Sequence, residues 1–322
     1  PVIWAGEIAP GWDIAGNADG GYVLAIAARA AAEAAGRPDP ATITAHYLAP
    51  GRPGPVTVEA RVLRHGRRFT TVQAVLASSE GPVLALLGSF TALDAHGGPE
   101  LVDAAPPDLP PPEDCVLLEA TATFPPPFMD RVELRLHPDE VPFRAATGPP
   151  RVSGWFRLAN AEPIDVLGLL VAVDAFPPTI FRSGLPVAWT PTLELTAHIR
   201  ARPEAGWLRC AFSTRFITGG FLEEDGEVWD ATGRWMELMA SLFESFSHPG
   251  VVMFCLPFAS LGVVWLMIAT GAVVTAEIVP VAVTVIATSP RSTVAVLYLP
   301  ASPPFAPSRR KYHTPTATST TA

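Results

Sequence analysis

From Gly16 to Gly36 the chain reads GNADGGYVLAIAARAAAEAAG, an apolar run of helical length with a glycine at each end and hardly any polar face. A helix that is apolar nearly all round has to be enclosed by other structure. Asp19 or Asn17 is suited to cap its start, Gly20 and Gly21 let the backbone be approached closely, and Gly36 suits a left-handed end. Downstream the period shortens to two. VTVEARVLRHG and RRFTTVQAVLAS alternate apolar and polar positions and meet at His65-Gly66, predicting two antiparallel strands with a tight turn. GPVLALLGSFTAL predicts another strand after the turn at Glu80-Gly81-Pro82.

The same order returns later. VSGWFRLAN reads as a strand, IDVLGLLVAVDAF as an apolar helix stopped by Pro177-Pro178, and several strands follow. TITAHYLAPGRPG at 42–54 and LELTAHIRARPEAG at 193–206 share the tripeptide Thr-Ala-His, the sharpest sign of an internal repeat. His46 and His198 are therefore expected at equivalent strand positions, as core or edge residues: their symmetry suits structure better than a single active site. Proline-dense AAPPDLPPPEDC and FPPPF separate the copies. The expected division is 1–100, a connector at 101–128, a second copy at 129–247, and a tail at 248–322.

Composition narrows the chemistry. With 322 residues, 49% hydrophobic and 16% charged, there is ample core material for an enzyme-sized protein. A net charge of -9 argues against a nucleic-acid partner, whose phosphates call for clustered cations. Cys115, Cys210 and Cys255 are scattered, without C-x-x-C spacing, so neither a disulfide framework nor a zinc site is indicated and a reducing, cytoplasmic setting is expected. No signal peptide is visible, and the opening Pro1 leaves the native start open. The tail differs from everything before it. Pro249 to Ala276 carries no formal charge, longer than the roughly 20 apolar residues a membrane helix needs, which sets a membrane contact through 249–276 beside a foreign, appended segment such as a shifted reading frame. TPTATSTTA at the end is low-complexity.

Several blocks, in order, resemble the thioesterase II-like branch of the double-hotdog acyl-CoA thioesterases: WDIAGNADGGYVLAIAARA, TAHYLAPGRPGPVTVEARVLRHGRRFTTVQAVL, SGWFRLA, LLVAVDAFPPTIF, VAWTPTLELTAHIRARPEAGWLRC and GFLEEDGEVWDATGR. The resemblance spans about residues 1–234. It implies an α+β double hotdog, in which two curved antiparallel sheets each wrap a central helix, with hydrolysis of acyl-CoA to free acid and coenzyme A. It implies no metal or other cofactor; a homo-oligomer is left open.

The family's catalytic aspartate falls on Asp174, where a carboxylate opposes the dipole of its own helix and interrupts an apolar run. Its implied task is to orient and deprotonate water. A threonine at the next strand falls on Thr192 or Thr190, of which Thr192 is favoured. The glycines Gly20 and Gly21 offer helix-start N–H groups to a developing oxyanion, against the plainer reading that they serve capping alone. Arg67 and Arg68 are weaker candidates for coenzyme A phosphates, since a solvated hairpin also explains them. Trp155, Trp189, Trp207 and Trp229 read as core residues or as an acyl tunnel. The family's catalytic glutamine is missing: none follows Gly233, and Ser241 stands near its place. A catalytically impaired acyl-CoA binder is therefore the alternative function, and a hotdog hydratase a weaker third. GxSxG is absent, which disfavours a nucleophile-elbow hydrolase.

Overall fold

The computed structural model describes residues 1–121, 126–142, 147–185 and 190–243, and the backbone of three strands between 273 and 296. The chain divides between Val251 and Val252 into two compact units.

In the first unit the elements are β1 (Val2–Ile8), β2 (Asp13–Ile14), β3 (Asn17–Ala18), α1 (Gly20–Ala35), β4 (Asp39–Tyr47), β5 (Gly54–His65), β6 (Thr70–Ser78) and β7 (Gly81–Thr91). Then come β8 (Val116–Leu117), β9 (Val132–Leu136), β10 (Arg151–Leu158), α2 (Val166–Ala172), β11 (Thr192–Ile199), β12 (Leu208–Ser213), β13 (Ile217–Thr218), β14 (Phe221–Asp230) and β15 (Trp235–Phe243). The predicted hairpin is β5–β6, turning through residues 66–69. Within the proline-rich stretch, Val116–Leu117 adds a short edge strand to β9, a position that tolerates neighbouring prolines because one side needs no partner.

One antiparallel sheet runs β1-β5-β6-β7-β4-β11-β15-β14-β12-β10-β9-β8, with β13 hydrogen-bonded to β14 off this path. The two repeats meet at β4 and β11, where Thr44 lies opposite Thr196 and their hydroxyls hydrogen bond at 2.9 Å. The shared Thr-Ala-His thus straddles the centre of the sheet, and the pairing is close to two-fold. His46 faces outward beside Glu194, while His198 is half-buried.

Helix α1 is buried through Val23, Leu24, Ala27, Ala28 and Ala31, against β4, β5, β6 and β7 on one side and α2 on another. Its start is capped by Asp19, whose Oδ1 accepts from the Tyr22 N–H at 2.8 Å. Gly36 ends it in the left-handed region (φ 62°), the Arg37 N–H returning to the Ala32 carbonyl. The turn after β14 is tied by Asp230, whose Oδ1 accepts from the backbone N–H groups of Thr232 and Arg234 and from the Thr232 hydroxyl. That turn fixes the register of β15, with Ser241 opposite Glu224 on β14.

The second unit contains an antiparallel sheet of β16 (Val273–Val279), β17 (Ala282–Ser289) and β18 (Ser292–Val296). Of the expected membrane segment at 249–276, only its last four residues are described, and they lie in β16; the rest falls outside the described residues, as do Trp189, Cys255 and the low-complexity end. Among the described residues no helix is long and apolar enough to cross a membrane.

Candidate active site

Asp174 sits just past the end of α2 and reaches the start of α1, where its Oδ2 accepts a hydrogen bond of 2.9 Å from the Gly21 N–H. The paired glycines make this contact possible. A Cβ on Gly21 would stand 2.3 Å from the Leu170 carbonyl oxygen and 2.9 Å from the Asp174 Cβ; one on Gly20 would stand 2.8 Å from Asp174 Oδ2 and 3.0 Å from the Tyr47 ring. The carboxylate that opposes the dipole of its own helix is thereby placed against the favourable, N-terminal end of another. Of the helix-start N–H groups expected to face an oxyanion, that of Gly21 is thus engaged by Asp174. Gly21→Ala should force α1 from α2, lowering stability by about 1–3 kcal/mol. A melting curve unchanged from the wild type would contradict this.

Burial pushes the Asp174 carboxyl up to about 6, against the opposing pull of the Gly21 and Gly20 N–H groups. Asp19, buried beside it, is raised well above the ordinary carboxylate range by burial and by the Asp174 charge. Tyr47 is raised by burial and by both aspartates; among the described residues its hydroxyl has no hydrogen-bond partner.

These groups face a cavity of about 360 Å³ whose wall also carries Thr190, Thr192, Ser241 and Glu224, with Val23, Val83, Phe176, Met239 and Phe243 supplying an apolar surface. Asp174, both threonines, Ser241 and Gly20 are thus gathered at one site, with Gly21 immediately behind. Ser241 is buried, and its hydroxyl has no hydrogen-bond partner among the described residues. Arg67 and Arg68 are not brought there. They occupy the β5–β6 turn, where Arg37, after the C-terminal end of α1, donates to the Gly66 and Arg67 carbonyls. A 16-residue helix, about 24 Å long, separates that end from Asp174. Nor do the described tryptophans form a tunnel: Trp155 packs edge-on against Trp207 and Trp229 is buried in the sheet, all outside the cavity wall.

Sequence reasoning missed Glu224. Its Oε2 accepts from the Thr179 N–H at 2.9 Å and from the Thr179 hydroxyl at 2.7 Å, and that hydroxyl also lies 2.8 Å from the Thr214 hydroxyl. Burial pushes this carboxyl up to about 7, with the Asp174 charge adding to the rise and the Thr179 bonds opposing it. Among the described residues no cluster of three His, Cys, Asp or Glu side chains could hold a metal ion.

A mostly antiparallel sheet around few helices, with an acidic, part-apolar cavity at a helix start, places the chain among hotdog-type proteins. A conserved protein of unknown function with a hot dog fold from Alicyclobacillus acidocaldarius superposes with a TM-score of 0.69 at 21% identity, covering 76% of this chain and 93% of the other. The chain belongs to the acyl-CoA thioesterase family, matching its N-terminal domain over residues 8–91 and its C-terminal domain over 112–240. A Thermobifida fusca YX structure, provisionally described as a thioesterase II, is 29% identical with a TM-score of 0.69, over 76% of this chain and 92% of that one. An uncharacterized protein of Mycobacterium tuberculosis (strain ATCC 25618 / H37Rv) is 30% identical over 269 residues, 72% of this chain and 87% of the relative.

Proposed function

We propose that this chain hydrolyses acyl-CoA thioesters to the free acid and coenzyme A, using a double hotdog whose halves correspond to residues 1–100 and 129–247. The observation that carries the reading is Asp174: a carboxylate held at a helix start, facing a cavity with an apolar wall and raised to about 6. The thioester carbonyl enters with its acyl chain against Phe176, Met239 and Phe243. Asp174 takes a proton from the attacking water, a step worth typically a hundredfold to ten-thousandfold. Thr192 and Thr190 orient that water. Since the Gly21 N–H is engaged, the hydroxyls of Ser241 and Tyr47, which have no partner among the described residues, can donate to the carbonyl oxygen.

The bare serine at 241 favours a second reading, in which acyl-CoA is held without turnover. Thiol release by the full chain from acyl-CoAs of graded length separates the two. Release well above the enzyme-free rate, peaking at one chain length, is expected; saturable binding without thiol would replace hydrolysis by the binding reading.

A further inference from the structure

The cavity wall holds acidic groups but, among its described residues, no lysine, arginine or histidine. Thioester cleavage leaves a thiolate there. A cysteine-like thiol ionises near pH 8.5 in water, and a cavity that already carries an ionised Asp174 makes that anion costlier still. With no described cation to pair the sulfur, a proton has to reach it, and of the wall's buried carboxyls Asp19 is committed through Oδ1 to capping α1, which leaves Glu224.

We propose that Glu224 is the proton donor of this site, giving its carboxyl proton to the sulfur of the departing thiol while Asp174 takes a proton from the attacking water. This rests on the thioesterase reading above. The water oxygen bonds to the acyl carbon and the C–S bond breaks, its electron pair leaving on sulfur. Glu224 protonates that sulfur, so carboxylic acid and thiol are released with Asp174 protonated and Glu224 ionised. Proton exchange through solvent resets the pair.

The attachment of Glu224 fits the task. Both threonine hydrogen bonds fall on Oε2, and among the described residues Oε1 has none, so it is the oxygen available to the cavity. Thr179 lies five residues after Asp174, so the segment that carries the base also grips the acid. The carboxyl stands opposite Ser241 on β15, with Asp174 following α2 and Asp225 its neighbour on β14; Asp19 and Tyr47 from the α1 and β4 side face the same cavity. Burial first, then the charges of Asp174 and Asp225, favour the protonated form, and with Asp174 near 6 and Glu224 near 7 the two carboxyls divide into base and acid.

Glu224→Gln keeps an oxygen for both Thr179 bonds and removes only the transferable proton. The full chain should melt as the wild type does, lose roughly a hundredfold in kcat on acyl-CoA, and lose the fall in kcat above about pH 7 that the wild type should display. The loss should largely vanish on the thioester of an acidic aryl thiol, which departs without a proton. Wild-type kcat and pH profile in Glu224→Gln would overturn the proposal, as would an equal loss on both leaving groups. Should the variant not fold, a wild-type kcat without an alkaline fall overturns it alone. An inactive Asp174→Asn beside an unaffected Glu224→Gln would leave the thioesterase reading intact, whereas a wild type that binds acyl-CoA without releasing thiol would remove that reading itself.

Discussion

Asp174→Asn should reduce kcat for acyl-CoA hydrolysis by at least a hundredfold while leaving the fold in place. Asparagine has nearly the same volume and still offers Oδ1 to the Gly21 N–H, so the seam between α1 and α2 keeps its hydrogen bond. Only the capacity to take a proton is lost. Asp174→Ala removes that bond as well and should melt lower than the asparagine variant, leaving a helix-start donor without its partner.

The pH dependence follows from the raised carboxyl. Catalysis by the ionised form means wild-type kcat should climb about tenfold per pH unit below about 6, before the fall that Glu224 imposes above about 7. Stability moves the opposite way. A carboxyl whose value is raised from 3.8 to about 6 on folding makes its full contribution below the unfolded value, and that contribution is lost as pH rises through about 6. Activity therefore depends on the form that folding disfavours, and Asp174→Asn should lose this part of the downward drift in melting temperature. An asparagine variant that retains wild-type turnover would remove Asp174 from the mechanism.

The legible parts of this molecule are those where pattern and burial agree. The all-apolar face of α1 required enclosure, and the β5–β6 hairpin followed from strict alternation. The shared Thr-Ala-His pointed to equivalent strands, though not to their lying side by side at the centre of the sheet, because pairing across repeats depends on how the halves meet. Asp174 was found through the resemblance and its conflict with the local dipole. What no local signal disclosed is its partner: a helix start some 150 residues earlier in the chain. Glu224 could have been found. In FLEEDGEVWD it keeps phase with Leu222, Gly226 and Val228, which are buried, while Glu223 points the other way. A carboxylate on the inner phase of a strand is the mark of a special environment, and the acidic run around it concealed that mark.

The same alternation, applied to β15, leads to the largest effect on stability. Glu237, Met239, Ser241 and Phe243 point inward, whereas Leu238 is 40% exposed. The polar pattern is thus partly out of step with a register held by β11 on one side and β14 on the other. Glu237 is fully buried, and among the described residues neither carboxylate oxygen has a hydrogen-bond partner. Burial pushes it up to about 8. Glu237→Leu should therefore stabilise the chain. Removing a buried carboxyl without partners recovers about 1–3 kcal/mol even where the group is neutral, worth roughly 3–8 °C in a unit of this size. The gain should grow with pH. With the unfolded chain ionising near 4.5 and the folded one near 8, the cost of Glu237 is smallest below about 4.5, where both states are protonated, and it grows progressively up to about 8. Melting curves of both proteins at pH 5 and pH 8 should show the wild type falling further, with the gap widening by a few kcal/mol at most. A gap independent of pH would mean that Glu237 ionises in the folded chain as it does in the unfolded one, and so that water or a partner reaches it. A variant less stable than wild type at both values would mean that leucine overfills the space between Val228 and Ile199, and that shape rather than charge governs this part of the sheet.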